Sequence, residues 1–165
     1  MDTCRYALIM ENSIKQEVML RLQSGPLQLK SLLEMISTCQ EAFIDILQKT
    51  FDKNNLSTYF QQDAIQTLFE TIRLENKFEL NSNDTTELAM NLYMTLSTLS
   101  SIIERSLQFY RQAANNSAYE YEKIFYNSLA EQKKVLKRRI DSALRIVYNS
   151  LWSQVGFAPF LFGKE

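Results

Sequence analysis

Apolar residues recur with the period of an α-helix over most of this chain. Between Leu27 and Val155 they appear every three or four positions, and the clearest run extends from Tyr121 to Leu151. No glycine or proline occurs in that stretch, so the breaks between helices must come from the Asn-, Asp- and Ser-containing clusters at 52–55, 81–84 and 115–117. The pattern predicts an all-α protein with core helices at about 27–52, 57–79, 85–114 and 117–153.

The clusters also carry signals for where helices begin. Asp84 precedes Glu87, and Ser117 precedes Glu120, by the three residues of a capping box, while Pro26 suits a first helical turn. A shorter helix at about 5–23 is predicted before the core helices. Long helices with short connections pack antiparallel. We therefore expect one domain, 1–165, formed by an antiparallel four-helix bundle with an extra N-terminal helix and an apolar C-terminal tail.

Composition narrows the classes of function. The 165 residues include no histidine and only three glycines, and the net charge is −1. Catalytic triads, Cys–His pairs and HExxH zinc sites all need histidine, and phosphate-binding loops need more glycine. The sequence favours a protein without catalytic activity, although catalysis by a Tyr, Lys or Cys side chain stays open.

The cysteines and the terminal segment bear on the cellular compartment. Cys4 and Cys39 are far apart and form no CxxC motif, which favours two reduced thiols in or near the core over a disulfide framework. The N-terminal residues lack the basic and apolar regions of a signal peptide, and no apolar run is long enough to span a membrane. We expect a cytoplasmic protein that does not enter the membrane.

Helical bundles often hold metal ions between inward-facing carboxylates, so the acidic residues were compared with the apolar stripes. Most acids lie away from the stripes, and the polar residues predicted to face inward are instead Gln40, Ser106 and Gln132. The candidate metal ligands, all predicted to lie at stripe boundaries or beyond them, are Glu41, Glu70, Glu104 and Glu131.

One stretch resembles a known family. Residues 109–114 (FYRQAA) and 124–131 (IFYNSLAE) resemble a helical hairpin of the rubrerythrin group in the ferritin-like superfamily, and residues 34–75 resemble a weaker copy. The resemblance implies a ferritin-like four-helix bundle with a di-iron site. It also puts Lys133 and Leu136 at the positions of a Glu and a His ligand, and Ile103 at or beside another Glu. The resemblance therefore implies that the iron ligands have degenerated.

Two segments are candidates for binding other molecules. The helix at 117–153 carries a basic face of Lys134, Lys137, Arg138 and Arg145, which is typical of a solvated surface and also of a nucleic-acid contact. The C-terminal segment carries Phe157, Phe160, Leu161 and Phe162, and apolar residues this dense favour a contact with the core, a second copy or a partner.

The hypothesis favoured by these observations is a non-catalytic helical protein without a cofactor, acting through self-association or partner surfaces, the C-terminal tail among them. The alternatives are a ferritin-like iron oxidase or iron-handling protein with an unorthodox carboxylate site, and a small nucleic-acid-binding protein.

Overall fold

The computed structural model describes residues 2–53, 78, 80 and 85–155. The described residues form four α-helices: α1 (Thr3–Ser24), α2 (Lys30–Lys53), α3 (Thr86–Asn116) and α4 (Glu120–Val155). A short 3₁₀-helix, Leu27–Leu29, leads into α2. The prediction of an all-α protein is confirmed for this part of the chain. The helix predicted at 57–79 and the C-terminal tail lie outside the described residues.

Helix α1 begins and ends with specific polar contacts. The Asp2 side chain accepts a hydrogen bond from the Cys4 backbone N–H, which caps the first turn. At the other end, the Gly25 N–H donates to the Arg21 carbonyl oxygen at 2.7 Å. A Cβ atom at Gly25 would collide with that same oxygen, so the turn into α2 requires glycine. Pro26 follows immediately, at the cap of the 3₁₀-helix.

The predicted starts of the last two helices are corrected by one and by three residues. Thr85 rather than Asp84 caps α3, because its hydroxyl accepts a hydrogen bond from the Leu88 N–H at 3.2 Å. Ser117 does not start α4. It is the C-terminal cap of α3, where its side chain donates to the Ala113 carbonyl oxygen at 2.7 Å. The connection to α4, which begins at Glu120, is therefore very short.

Contacts between side chains establish how the helices run. Helix α1 passes α2 in the opposite direction, since Cys4 contacts Leu47 and Glu11 contacts Gln40. Helices α3 and α4 are likewise antiparallel, with Tyr110 stacked on Tyr126 and Tyr93 beside Tyr148. All four helices contribute to two apolar clusters, one toward each end of the core. Along α2 and along α3, the residues of one cluster come before those of the other, in the same order on both helices. These two helices therefore run in the same direction.

The core differs from the predicted one in the role of α1. This helix was expected to be an addition to the core, yet its Ala7, Glu11 and Val18 are fully buried against the other helices. The apolar stripes predicted on α2, α3 and α4 do face inward, and only Leu88, Tyr121, Gln132 and Leu151 among their residues are half-buried. None of the helices in the described part of the chain has a stretch apolar and long enough to cross a membrane.

Candidate functional site

Each of the four helices carries a fully buried polar residue at the same level of the core. On α1, α2, α3 and α4 in turn, these residues are Glu11, Gln40, Ser106 and Lys133, all with no exposed surface. Apolar residues that belong to one cluster precede each of them, and apolar residues of the other cluster follow. The four positions therefore form a polar layer between two apolar halves of the core.

Three of these residues and a tyrosine form one hydrogen-bonded network. The Lys133 Nζ donates to Glu11 Oε2 and to Gln40 Oε1, both at 2.7 Å. The Gln40 Nε2 donates to Glu11 Oε2 at 2.6 Å, and the Tyr110 hydroxyl donates to Glu11 Oε1 at 2.6 Å. Both carboxylate oxygens of Glu11, and both the oxygen and the nitrogen of the Gln40 amide, therefore form hydrogen bonds. Ser106 satisfies its own hydroxyl by donating to the Ile103 carbonyl oxygen on α3.

Burial dominates the electrostatics of this network, which we call the Glu11–Lys133 network. Loss of hydration lowers the pKa of Lys133, while the charge and hydrogen bond of Glu11 act in the opposite direction. Burial and the neighbouring Glu11 raise the pKa of Tyr110 well above its ordinary value. The Lys133 ammonium also lies 4.0 Å from the centre of the Phe43 ring, which adds a cation–π contact. The Lys133 ammonium and the Glu11 carboxylate therefore neutralise each other inside the core, without contact with solvent.

The side chains of this layer do not suit a metal centre. A di-iron site in a helical bundle uses several carboxylates and two histidines, whereas this layer offers one carboxylate that already accepts three hydrogen bonds. A lysine ammonium repels a cation and has no lone pair to donate. Among the described residues, no group of three or more Cys, Asp or Glu side chains is placed to hold a metal ion.

We expect the purified protein to take up no stoichiometric iron. Anaerobic addition of Fe²⁺, removal of excess metal and elemental analysis would test this expectation, with oxidation followed by absorbance after air is admitted. The Lys133 ammonium should keep iron out of the core. Two iron atoms per chain, retained after gel filtration, would contradict a core that offers iron no binding site.

The structure does not bring the candidate metal ligands together. Glu41 is exposed and lies 3.6 Å from Lys15 on α1. Glu104 is half-buried and accepts a hydrogen bond from Gln108 on its own helix, and Glu131 faces solvent. Glu70 lies outside the described residues. All three described acids lie at the edges of the buried stripes or outside them.

Two members of the polar layer differ from the sequence prediction. Gln132 was expected to face inward, but it is half-buried, and its neighbour Lys133 occupies the interior position. Lys133 is the residue that the resemblance to the ferritin-like group had placed at a ligand position. Glu11 was missed. Its signal was the spacing from Ala7 and Leu8 to Ile14 and Val18, which puts residue 11 on the buried stripe of α1.

Of the two segments predicted to bind other molecules, the structure describes the basic face but not the C-terminal tail. On the basic face, Arg138 and Arg145 are exposed, whereas Lys134 and Lys137 are half-buried. Lys137 pairs with Asp141 at 2.6 Å, and Asp141 in turn accepts a hydrogen bond from Ser100 on α3. Part of the basic face therefore serves to join α3 and α4. Phe157, Phe160, Leu161 and Phe162 lie outside the described residues.

Comparison with known proteins gives no relative. No protein-family model matches the chain, and neither the curated proteins nor the solved structures contain a match to it.

Proposed function

We propose that this protein is a non-catalytic helical module that acts by self-association, and that two copies pair through the outer face of α1. The observation that carries the proposal is an uncharged stripe on this face. It consists of Ile9, Ser13, Gln16 and Leu20, and the two apolar members are 52% and 60% exposed. Large apolar side chains on an exposed helix, without charged residues between them, favour contact with another protein surface.

The spacing of the stripe suits a symmetric pair. Its intervals are four, three and four residues, which read the same in both directions along the helix. When a second copy of α1 lies antiparallel, Ile9 faces Leu20 of the second copy, and Ser13 faces Gln16. Such an interface is isologous, the commonest arrangement in homodimers. The neighbouring charges do not oppose it, because Glu17 pairs with Arg21 within the helix at 2.7 Å.

Shallow grooves along the same helix support this choice of surface. One groove, of about 630 Å³, is lined by Ile9, Ser13 and Gln16 together with Arg5, and another, of about 530 Å³, by Gln16 and Leu20 together with Lys15. Side chains from an opposing helix need depressions of this kind to interdigitate.

For the architecture, we propose an antiparallel four-helix bundle of the ferritin-like type in which an ion pair has replaced the metal centre. Two observations support this. Helices α2 and α3 run in the same direction, as do the two helices on either side of the long crossover in ferritin-like folds. Gln40 and Lys133 also occupy equivalent places on α2 and α4, each followed three residues later by a buried apolar residue, Phe43 or Leu136.

Introducing charge into the stripe should prevent pairing. We expect the variant Ile9→Glu with Leu20→Glu to raise the dissociation constant of the dimer by about tenfold or more, since four carboxylates would meet in the interface. Sedimentation velocity over a range of protein concentrations measures the constant directly. Circular dichroism would establish that the variant is still folded, as expected for substitutions at exposed helical positions.

A matched control is Met94→Glu. Met94 is 66% exposed, on α3 rather than on α1, and its substitution should leave the dissociation constant unchanged. A wild-type protein that remains monomeric at about 1 mM, where even weak specific pairs associate, would refute the proposal. Equal weakening by Met94→Glu would show that the interface lies elsewhere.

A further inference from the structure

A cavity of about 590 Å³ opens at one end of the helical core, away from the stripe on α1. Its walls come from the start of α1, the last turns of α3 and the first turns of α4, and Thr50 adds a contribution from α2. The volume is within the range of small-molecule sites. Three aromatic rings, those of Phe109, Tyr121 and Tyr126, line the cavity.

The cavity carries negative charge. Asp2 and Glu122 line it, and no lysine or arginine is among its lining residues. Within the described part of the chain neither carboxylate belongs to an ion pair, and Asp2 accepts only the capping hydrogen bond from Cys4. The negative field reaches other groups in the wall. Asp2 contributes, after burial, to the raised pKa of Cys4. Burial is the main cause of the raised pKa of Tyr126, and Cys4 and then the two carboxylates add to it.

Tyr126 gives independent evidence that the cavity is suited to a ligand. Its side chain is 4% exposed, yet its hydroxyl makes no hydrogen bond to any other described residue. No fully enclosed side-chain oxygen or nitrogen in the described residues lacks a partner, so this hydroxyl reaches the open space of the cavity. The ring is held in place by stacking on Tyr110, at 6.4 Å between ring centres.

We propose that this cavity binds a small organic cation, with its ammonium group between the Asp2 and Glu122 carboxylates and against the aromatic wall. Aromatic faces attract ammonium groups, and quaternary ammonium ligands are commonly recognised by several rings together. The uncommitted carboxylates supply opposite charge, and the Tyr126 hydroxyl is available to a polar group of the ligand. A divalent metal ion would find only two carboxylates, whereas calcium needs six to eight oxygen ligands.

The choice of ligand class is tested with choline and its uncharged analogue of the same shape, 3,3-dimethylbutan-1-ol. We expect choline to bind at least about tenfold more tightly, a difference of about 1.4 kcal/mol, because only the charged compound gains the carboxylate and cation–π contacts. Titration followed by ¹H–¹⁵N correlation spectra would give both affinity and location. The largest shifts should occur at the amides lining the cavity, near Asp2 and Glu122.

The site is tested with the variant Asp2→Asn and Glu122→Gln. Asparagine caps a helix as well as aspartate does, so α1 should remain intact while the cavity loses its charge. Choline affinity should fall by about tenfold or more. Glu131→Gln, at an exposed position of the same helix α4, is the matched control and should not change binding.

Three results would overturn the inference. The first is choline binding that is unchanged in the double variant. The second is equal binding of choline and the uncharged analogue. The third is the absence of any shift near the cavity at choline concentrations of about 100 mM, above the range of weak specific binding.

Discussion

Replacement of Lys133 with methionine should lower the free energy of unfolding by about 3–5 kcal/mol, because it leaves the Glu11 carboxylate buried without a compensating charge. Methionine preserves most of the volume of the lysine chain, so the loss reports on charge rather than on a cavity. The ammonium is fully buried and donates to both Glu11 and Gln40. Urea unfolding followed by circular dichroism at neutral pH would measure the change.

The control for this substitution is the adjacent residue. Lys134 is on the same turn of α4 but is half-buried, and Lys134→Met should change the free energy of unfolding by no more than about 0.5 kcal/mol. The double variant Glu11→Gln with Lys133→Met should recover much of the loss, since a neutral amide can still accept the Tyr110 hydrogen bond. Equal effects of Lys133→Met and Lys134→Met would show that the network contributes nothing specific to stability.

The network explains how the helices are held in register. A purely apolar core tolerates small shifts of one helix past another, whereas a buried charge is satisfied at one alignment only. Here Glu11 on α1 must reach Lys133 on α4 and Tyr110 on α3 at once. A slip of one turn, about 5.4 Å, would break all of these hydrogen bonds. We infer that specificity of packing, rather than net stability, is the reason the interior retains an ion pair.

For the four described helices, the sequence was sufficient to predict their presence but not their exact boundaries. Periodicity alone located α2, α3 and α4, because their apolar stripes are long and contain no glycine or proline. The start of α3 was predicted one residue early, since Asp84 and Thr85 are both good caps and sequence gives no way to choose between them. Ser117 was assigned to the wrong helix for a related reason: a serine can end one helix as well as begin another, and its hydroxyl turned back to α3.

The candidate site could be predicted only in part. Gln40 and Ser106 were identified because they interrupt apolar stripes. Lys133 was harder, since positions 132 and 133 both continue the stripe from Leu129 and a lysine is usually solvated. Its burial depends on Glu11, which lies 122 residues earlier in the chain. A contact between residues so far apart is fixed by the packing of helices, which a single sequence does not specify.

Alkaline conditions should unfold this protein through its two buried thiols. Burial raises the pKa of Cys4 and of Cys39 from 9.0 to about 11, and both cysteines are free. Between pH 9 and pH 11 the folded state therefore holds protons that the unfolded state has released, so stability falls as pH rises through this window. Each thiol should remove about 1.4 kcal/mol per pH unit, or about 3 kcal/mol over the window. Below pH 9 this contribution is complete and constant.

Other buried groups titrate in the same range, so the thiols must be isolated by difference. Raised pKa values of Tyr110 and Tyr126 act in the same direction at higher pH, whereas the lowered pKa of Lys133 opposes them. In the variant Cys4→Ala with Cys39→Ala, the slope of unfolding free energy against pH should be shallower by about 3 kcal/mol per unit between pH 9 and 11. Urea titrations at several pH values, with reductant present, measure both slopes. Parallel slopes would mean that the two thiols ionise as readily in the folded protein as in the unfolded chain.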